Sequence, residues 1–334
     1  MKRTDKGMIP KYILKILVGG STALLILSIY VLCFSNSGVH ITNTTNATDY
    51  KWEANQGKSK TDEGFAWITL DEDGFNNRSI PDSIDILIMG SSHMEAVNIS
   101  QDENVGTLLS ETIKDKNIYN IGVSGHTIYT CVQNISDAVN YYSPSDYVIL
   151  ETSEILLNKE SMLSVVDNEY PEIQSHDSGI VYLLQKKLPV VKAVYKALDD
   201  WRSADSRSVA VNEETRKIDT EYTDILNQFL SKAASGVSTS GAKLIIFYHP
   251  TTEIDEEGDL INTTDQEALS AFQEACDKND IIFVDMTPDF ERMYEEEHIL
   301  AHGFINTAVG TGHLNKYGHK AIAERLAEVI GGEN

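Results

Sequence analysis

Cysteine is scarce, with three in 334 residues, and only Cys131 and Cys276 lie outside the apolar run that holds Cys33. This excludes a disulfide scaffold and leaves either one bridge or two buried thiols. Basic residues are few as well: 27 Lys and Arg stand against 51 Asp and Glu, for a net charge of −24. Residues 1–15 hold five of the basic residues and one of the acidic, so the remainder carries −28. A surface of that sign repels nucleic acid and anionic lipid, and no nucleic-acid partner is expected. Neither an HExxH zinc motif nor a GxSxG nucleophile elbow is present. Their absence argues against zinc proteases and α/β-hydrolases.

There is one long hydrophobic run. Ile16–Phe34 carries no charge and is long enough to cross a bilayer as a helix. Lys2, Arg3, Lys6, Lys11 and Lys15 precede it, and the next basic residue is Lys51. The positive-inside rule places residues 1–15 in the cytoplasm, 16–34 as a single-pass plasma-membrane anchor, and the rest outside. A cleaved signal peptide is the rival reading, but the run is long for one and lacks a small-x-small site. Residues 35–63 are polar with little periodicity and read as a stalk.

Residues 64–334 have the rhythm of one α/β domain. Ile84–Met89, Ile118–Ile121, Tyr147–Leu150, Leu244–Tyr248 and Ile281–Val284 are short apolar runs suited to buried parallel strands. Helical spacing covers Val105–Ile113, Thr127–Tyr141, Asp265–Cys276 and His319–Ile330. Together they predict a three-layer α/β/α sandwich with a mostly parallel five-stranded sheet. Its ligand crevice would lie beyond the carboxyl ends of the strands. Between about 155 and 220 the rhythm breaks, which predicts a helical insertion. Within it Ile180–Trp201 is amphipathic, either a helical pair packed on the sheet or a lid or docking surface.

Two segments carry candidate chemistry. Gly90-Ser91-Ser92-His93 follows the first strand, so Ser92 points into the crevice near a helix N-terminus. Gly310–His319 precedes the last helix, and His313 there could take a seryl proton and return it to a leaving group. His93, His126, His249 and His302 also follow strands or turns, and His93, His126 and His249 are candidates to line the substrate cleft. No close pair of metal ligands supports a cluster, so no metal and no cofactor is expected.

These segments resemble the SGNH (GDSL) hydrolase superfamily, whose members are α/β/α domains with four separated sequence blocks. Gly90–His93 resembles the first block, which implies Ser92 as nucleophile and its N–H as an oxyanion donor. Asn120–Thr127 resembles the second, which implies the Gly125 N–H as another donor. Gly310–Gly318 resembles the last, which implies His313 as base, framed by Leu314, Asn315 and Gly318. The third block departs from the pattern: Glu151-Thr152-Ser153-Glu154 replaces Gly-x-Asn-Asp, putting Ser153, or failing it Thr152, where the Asn donor belongs. The usual Asp just before the histidine is also missing. Asp285, Glu151 and Glu154 are the candidate orienting acids, and a Ser-His dyad is the alternative.

The resemblance implies a serine esterase acting on ester-linked acyl groups, O-acetyl above all, of cell-surface or exported glycans. Anchored members that O-acetylate alginate or D-alanylate teichoic acids share the layout, so an O-acyltransferase component working with a membrane acyltransferase partner is the second reading. An inactive glycan-binding or assembly factor is the third.

Overall fold

The computed structural model describes residues 8–34, 40–42, 50–52, 54–55, 57–60, 63–169, 218–255 and 257–332. The chain divides into two compact units, residues 1–37 with 176–210 and residues 38–175 with 211–334. In the first, α1 (Met8–Phe34) is a 27-residue helix. Its Pro10–Ile29 stretch has a mean hydropathy of 1.9 and is long and apolar enough to cross a membrane. The helix begins before Ile16 because Lys11 and Lys15 are good helix formers and do not interrupt it. Ile180–Trp201, where the sequence predicts an amphipathic stretch, lies outside the described residues.

The second unit is built on a parallel sheet. Its N-terminal part forms two antiparallel pairs, β1 (His40–Thr42) with β2 (Tyr50–Trp52) and β3 (Gly57–Lys60) with β4 (Ala66–Thr69). Then come β5 (Ile86–Met89), β6 (Ile118–Asn120), β7 (Tyr147–Thr152) and β8 (Lys243–Tyr248). A small pair, β9 (Thr252–Ile254) with β10 (Leu260–Asn262), precedes β11 (Ile282–Asp285). The five-stranded sheet has the order β11-β8-β7-β5-β6, every pair parallel. The chain steps from β5 to one side for β6 and to the other for β7, so the switch point lies between β5 and β7.

The helices of this unit are α2 (Ser92–Glu95), α3 (Val105–Thr112), α4 (Ile128–Tyr142), α5 (Lys159–Val166), α6 (Thr220–Ser238), α7 (Gln266–Lys278), α8 (Thr287–Glu297) and α9 (Lys316–Gly332). Strand residues alternate between the two faces. Leu87, Val148 and Ile246 join one core with Ile135 of α4, Met162 of α5, Phe229 of α6 and Phe272 of α7. Ile86, Ile88, Ile149 and Ile245 join the other with Leu109 of α3, Phe290 of α8 and Ile322 of α9. The result is the three-layer α/β/α sandwich with helices on both faces, as the short apolar runs predict. Cys131 and Cys276 are free, buried thiols.

Two boundaries differ from the sequence reading. Ile155, Leu157, Met162 and Val165 are buried in the first core, so α5 belongs to the sandwich and not to an inserted subdomain. Residues 50–63 are likewise no simple stalk. Trp52 packs with Ala66, Ile68, Leu70 and Val97 in a small core of its own. Lys58 is buried, with Nζ 3.7 Å from Glu95 Oε2 and 3.2 Å from the Trp52 ring centre. The buried side chains described there are Trp52 and Lys58, and a buried lysine gives no apolar signal in the sequence.

Candidate active site

Ser92 is the first residue of α2, one Gly-Ser turn beyond the switch-point strand β5. Ser91 caps this turn: its hydroxyl accepts from the His93 N–H at 3.2 Å and its carbonyl from the Glu95 N–H at 3.0 Å. Ala96, with φ of 52°, ends the helix after a single turn. Gly90 is required by close approach, because a Cβ there would lie 2.5 Å from Met94 Cγ and 2.7 Å from Glu151 Oε2.

His313 comes to Ser92 from the loop before α9, with Nε2 2.8 Å from Ser92 Oγ. That loop is pinned from several sides. The Gly303 N–H donates to His313 O at 3.0 Å, the Leu314 N–H to His93 Nδ1 at 3.2 Å, and the Asn315 amide group to the Leu300 carbonyl at 2.8 Å. Asn315 Oδ1 in turn accepts from the N–H of Tyr317 at 2.9 Å and of Gly318 at 3.2 Å, where α9 begins.

The carboxylate on the far side of the imidazole is Glu63, in the turn between β3 and β4. Its Oε2 lies 2.5 Å from His313 Nδ1, and its Oε1 accepts the His313 backbone N–H at 2.5 Å. The turn is held in place by Asn306, which bonds the Gly64 N–H at 2.8 Å and the Gly64 carbonyl at 3.2 Å. With Nδ1–H donating to Glu63, Nε2 is the basic nitrogen facing Ser92 Oγ. A serine, an imidazole and a carboxylate linked in this way form the arrangement that activates a hydroxyl for acyl transfer.

None of the three acids expected from the sequence occupies that position. Asp285 accepts from the Thr287 N–H at 2.9 Å, at the start of α8. Glu154 is exposed, and its backbone closes a turn with the Thr152 hydroxyl. Glu151 is buried beneath the nucleophile turn, with Oε2 accepting the Ser91 N–H at 2.7 Å and Oε1 bonded to His249 Nε2 at 2.8 Å. Burial alone would raise its pKa, but the bonds from His249 and Ser91 and the nearby His93 ring outweigh it and hold the carboxyl below the usual range.

The second loop of the crevice lies against α2. The Val123 N–H donates to Gly90 O at 3.1 Å, and Ser124 Oγ bonds to Glu95 Oε2. Trp52 Nε1 bonds to the other Glu95 oxygen, so one buried carboxylate ties the N-terminal strands to the Gly125 loop. Gly125 follows, exposed and with φ of 89°. Ser153 is exposed and makes no hydrogen bond to Ser92 or His313, and the Thr152 hydroxyl is taken by Glu154. His126, beside Gly125, is part-exposed, and burial lowers its pKa to about 4. His249 is fully buried and lies under the cleft, not on its wall.

Beside Glu63 and the base loop opens a groove of about 470 Å³, lined by Phe65, Trp67, Ile99, Phe304, Ile305 and Tyr317 among others. Phe65, Trp67 and Ile305 are largely exposed there. The sequence carries one trace of this architecture, the alternation of Ala66, Ile68 and Leu70 inward with Phe65, Trp67 and Thr69 outward.

The fold and site thus define a doubly wound α/β domain with a Ser-His-Glu relay at its switch point. No family model matches the chain, and no curated protein does. Among solved structures it is similar to TesA, at 13% identity and a TM-score of 0.39 over 74% of this chain and 98% of that one. It is similar to the acetyl xylan esterase AlAXEase, at 15% identity and a TM-score of 0.42 over 73% and 99%. A member of the lipolytic protein G-D-S-L family from Veillonella parvula DSM 2008 matches at 16% identity and a TM-score of 0.41 over 75% and 99%.

Proposed function

We propose that this chain is an SGNH-type serine esterase that removes ester-linked acyl groups, acetyl above all, from cell-surface or exported glycans. The observation that carries the reading is the continuous relay Ser92 Oγ–His313–Glu63. Ser92 Oγ attacks the ester carbonyl as its proton passes to His313 Nε2, and Glu63 stabilises the imidazolium at Nδ1. The Ser92 and Gly125 N–H groups receive the oxyanion. The tetrahedral species then expels the sugar alkoxide, which takes the proton from His313. Water repeats the sequence on the acyl-Ser92 ester and releases the carboxylic acid.

An intact relay supports an enzyme over an inactive binding factor. The exposed faces of Trp67 and Tyr317 in the neighbouring groove suit the stacking of sugar rings. The helix α1 supports a plasma-membrane anchor, with the basic residues 1–15 inside and the acidic domain outside. The test is acetate release from an O-acetylated polysaccharide and from 4-nitrophenyl acetate by the full chain in detergent. Turnover lost in Ser92→Ala supports the reading. A wild-type chain that is inert alone, and active only with an acyl donor and a membrane acyltransferase, favours the acyltransferase role.

A further inference from the structure

The relay leaves three histidines unexplained. His93, His249 and His302 each offer one ring nitrogen to a common space, and these atoms lie within 4.8 Å of one another. One nitrogen of each ring is anchored: His249 Nε2 to Glu151 at 2.8 Å, His302 Nδ1 to Thr252 Oγ1 at 3.3 Å, and His93 Nδ1 to the Leu314 N–H at 3.2 Å. The opposite nitrogens of the two buried rings, His249 Nδ1 and His302 Nε2, have no hydrogen-bond partner. His249 is 0% and His302 3% exposed. Buried polar atoms left in this way are rare and call for an occupant.

We propose that His93, His249 and His302 form a binding site for a zinc-class divalent cation, with Glu151 as the outer carboxylate that orients His249. Imidazole is the ligand type such ions favour, and a carboxylate on the far nitrogen is their usual second partner. Three histidines leave a fourth tetrahedral position open. Metal–nitrogen bonds of about 2.0–2.1 Å set the ligand atoms about 3.3 Å apart, so separations that now reach 4.8 Å close by up to about 1.5 Å. His93 is the ring that must change partner. The Leu314 N–H occupies its Nδ1, which leaves the ring's own proton on Nε2, and coordination through either nitrogen ends that arrangement. Cation binding is thereby coupled to the loop that carries His313, although none of the ligands belongs to the Ser-His-Glu relay.

The full chain in detergent, stripped with a chelator, is titrated with Co²⁺ and followed by visible absorption. The expected result is one Co²⁺ per chain with the intense band of a tetrahedral nitrogen-rich site, displaced by Zn²⁺. His249→Ala and His302→Ala each abolish the band, and Glu151→Gln weakens binding about 10–100-fold. A wild-type chain that gives no such band overturns the proposal without recourse to any variant. So does a band of the same affinity in His302→Ala, which would place the ion elsewhere.

Discussion

Gly312 leaves room for Glu63: a Cβ on Gly312 would sit 2.1 Å from Glu63 Oε1. With φ of 97°, Gly312 also holds a backbone conformation that L side chains rarely adopt. The carboxylate therefore reaches the histidine only because the residue before His313 has no side chain.

Two substitutions follow from that contact. Glu63→Gln should lower kcat by ~10²–10⁴ with little effect on KM, since the lost group acts on the imidazolium of the transition state. Gly312→Ala should act in the same direction by displacing Glu63. Steady-state kinetics on 4-nitrophenyl acetate checks both. Full activity in Glu63→Gln would remove Glu63 from the relay.

The Glu95 carboxylate is buried among Trp52, Lys58 and Ser124. Glu95→Ala should destabilise the domain by about 3–5 kcal/mol, because it removes the buried carboxylate that pairs with Lys58 and accepts from Trp52 and Ser124. Lys58→Met combined with Glu95→Gln should cost less than Glu95→Ala alone. Urea unfolding of the variants checks the order, and equal losses would contradict it.

The buried histidines set an acid limit on stability. Burial, followed by the charge of nearby His249, lowers His302 and His319 to about 3. An unfolded imidazole titrates near 6.5. Between these values the unfolded chain binds more protons, so stability falls as pH drops from about 6.5 toward 3. Glu151 acts in the same sense: its folded pKa lies below 4.5, so its contribution is present above 4.5 and is lost as pH falls through the folded value. Calorimetry should show Tm declining below about pH 6.5, with a shallower slope in His319→Gln. A Tm that stays flat between about pH 7 and pH 5 would contradict the assignment.

Cys131 and Cys276 are buried among apolar side chains, which pushes their thiol pKa values up. Neither should react with a disulfide reagent in the folded chain, and both should react on denaturation. Rapid modification of the native protein at either position would contradict their burial.

The five parallel strands and the helices that cover them are legible because the strands are short apolar runs, buried on both faces in the middle of the sheet, as Leu87 and Ile88 show. Ser92 and His313 are legible because Gly90–His93 and Gly310–Gly318 resemble the first and last SGNH blocks and sit at a strand end and before a helix. Glu63 is not. It lies 250 residues from His313 in sequence, in a polar hairpin whose few inward residues include Lys58 and whose outward residues include Trp67 and Phe65. Glu151 misleads for the opposite reason, since a strand-end acid suits the third block, yet its side chain turns beneath the sheet end to His249 and Ser91. The three-histidine cluster is hidden in the same way, since its members are separated by more than 50 residues in each interval and meet only at the ends of neighbouring elements.

The central claim is that His313, held by Glu63, makes Ser92 a nucleophile. The most direct measurement is reaction of the full chain with a fluorophosphonate, followed by peptide mass spectrometry. A single phosphonyl group is predicted on Ser92, absent from Ser92→Ala and formed far more slowly in His313→Ala and Glu63→Gln. No adduct, or an adduct on another residue with Ser92 unmodified, would contradict the account.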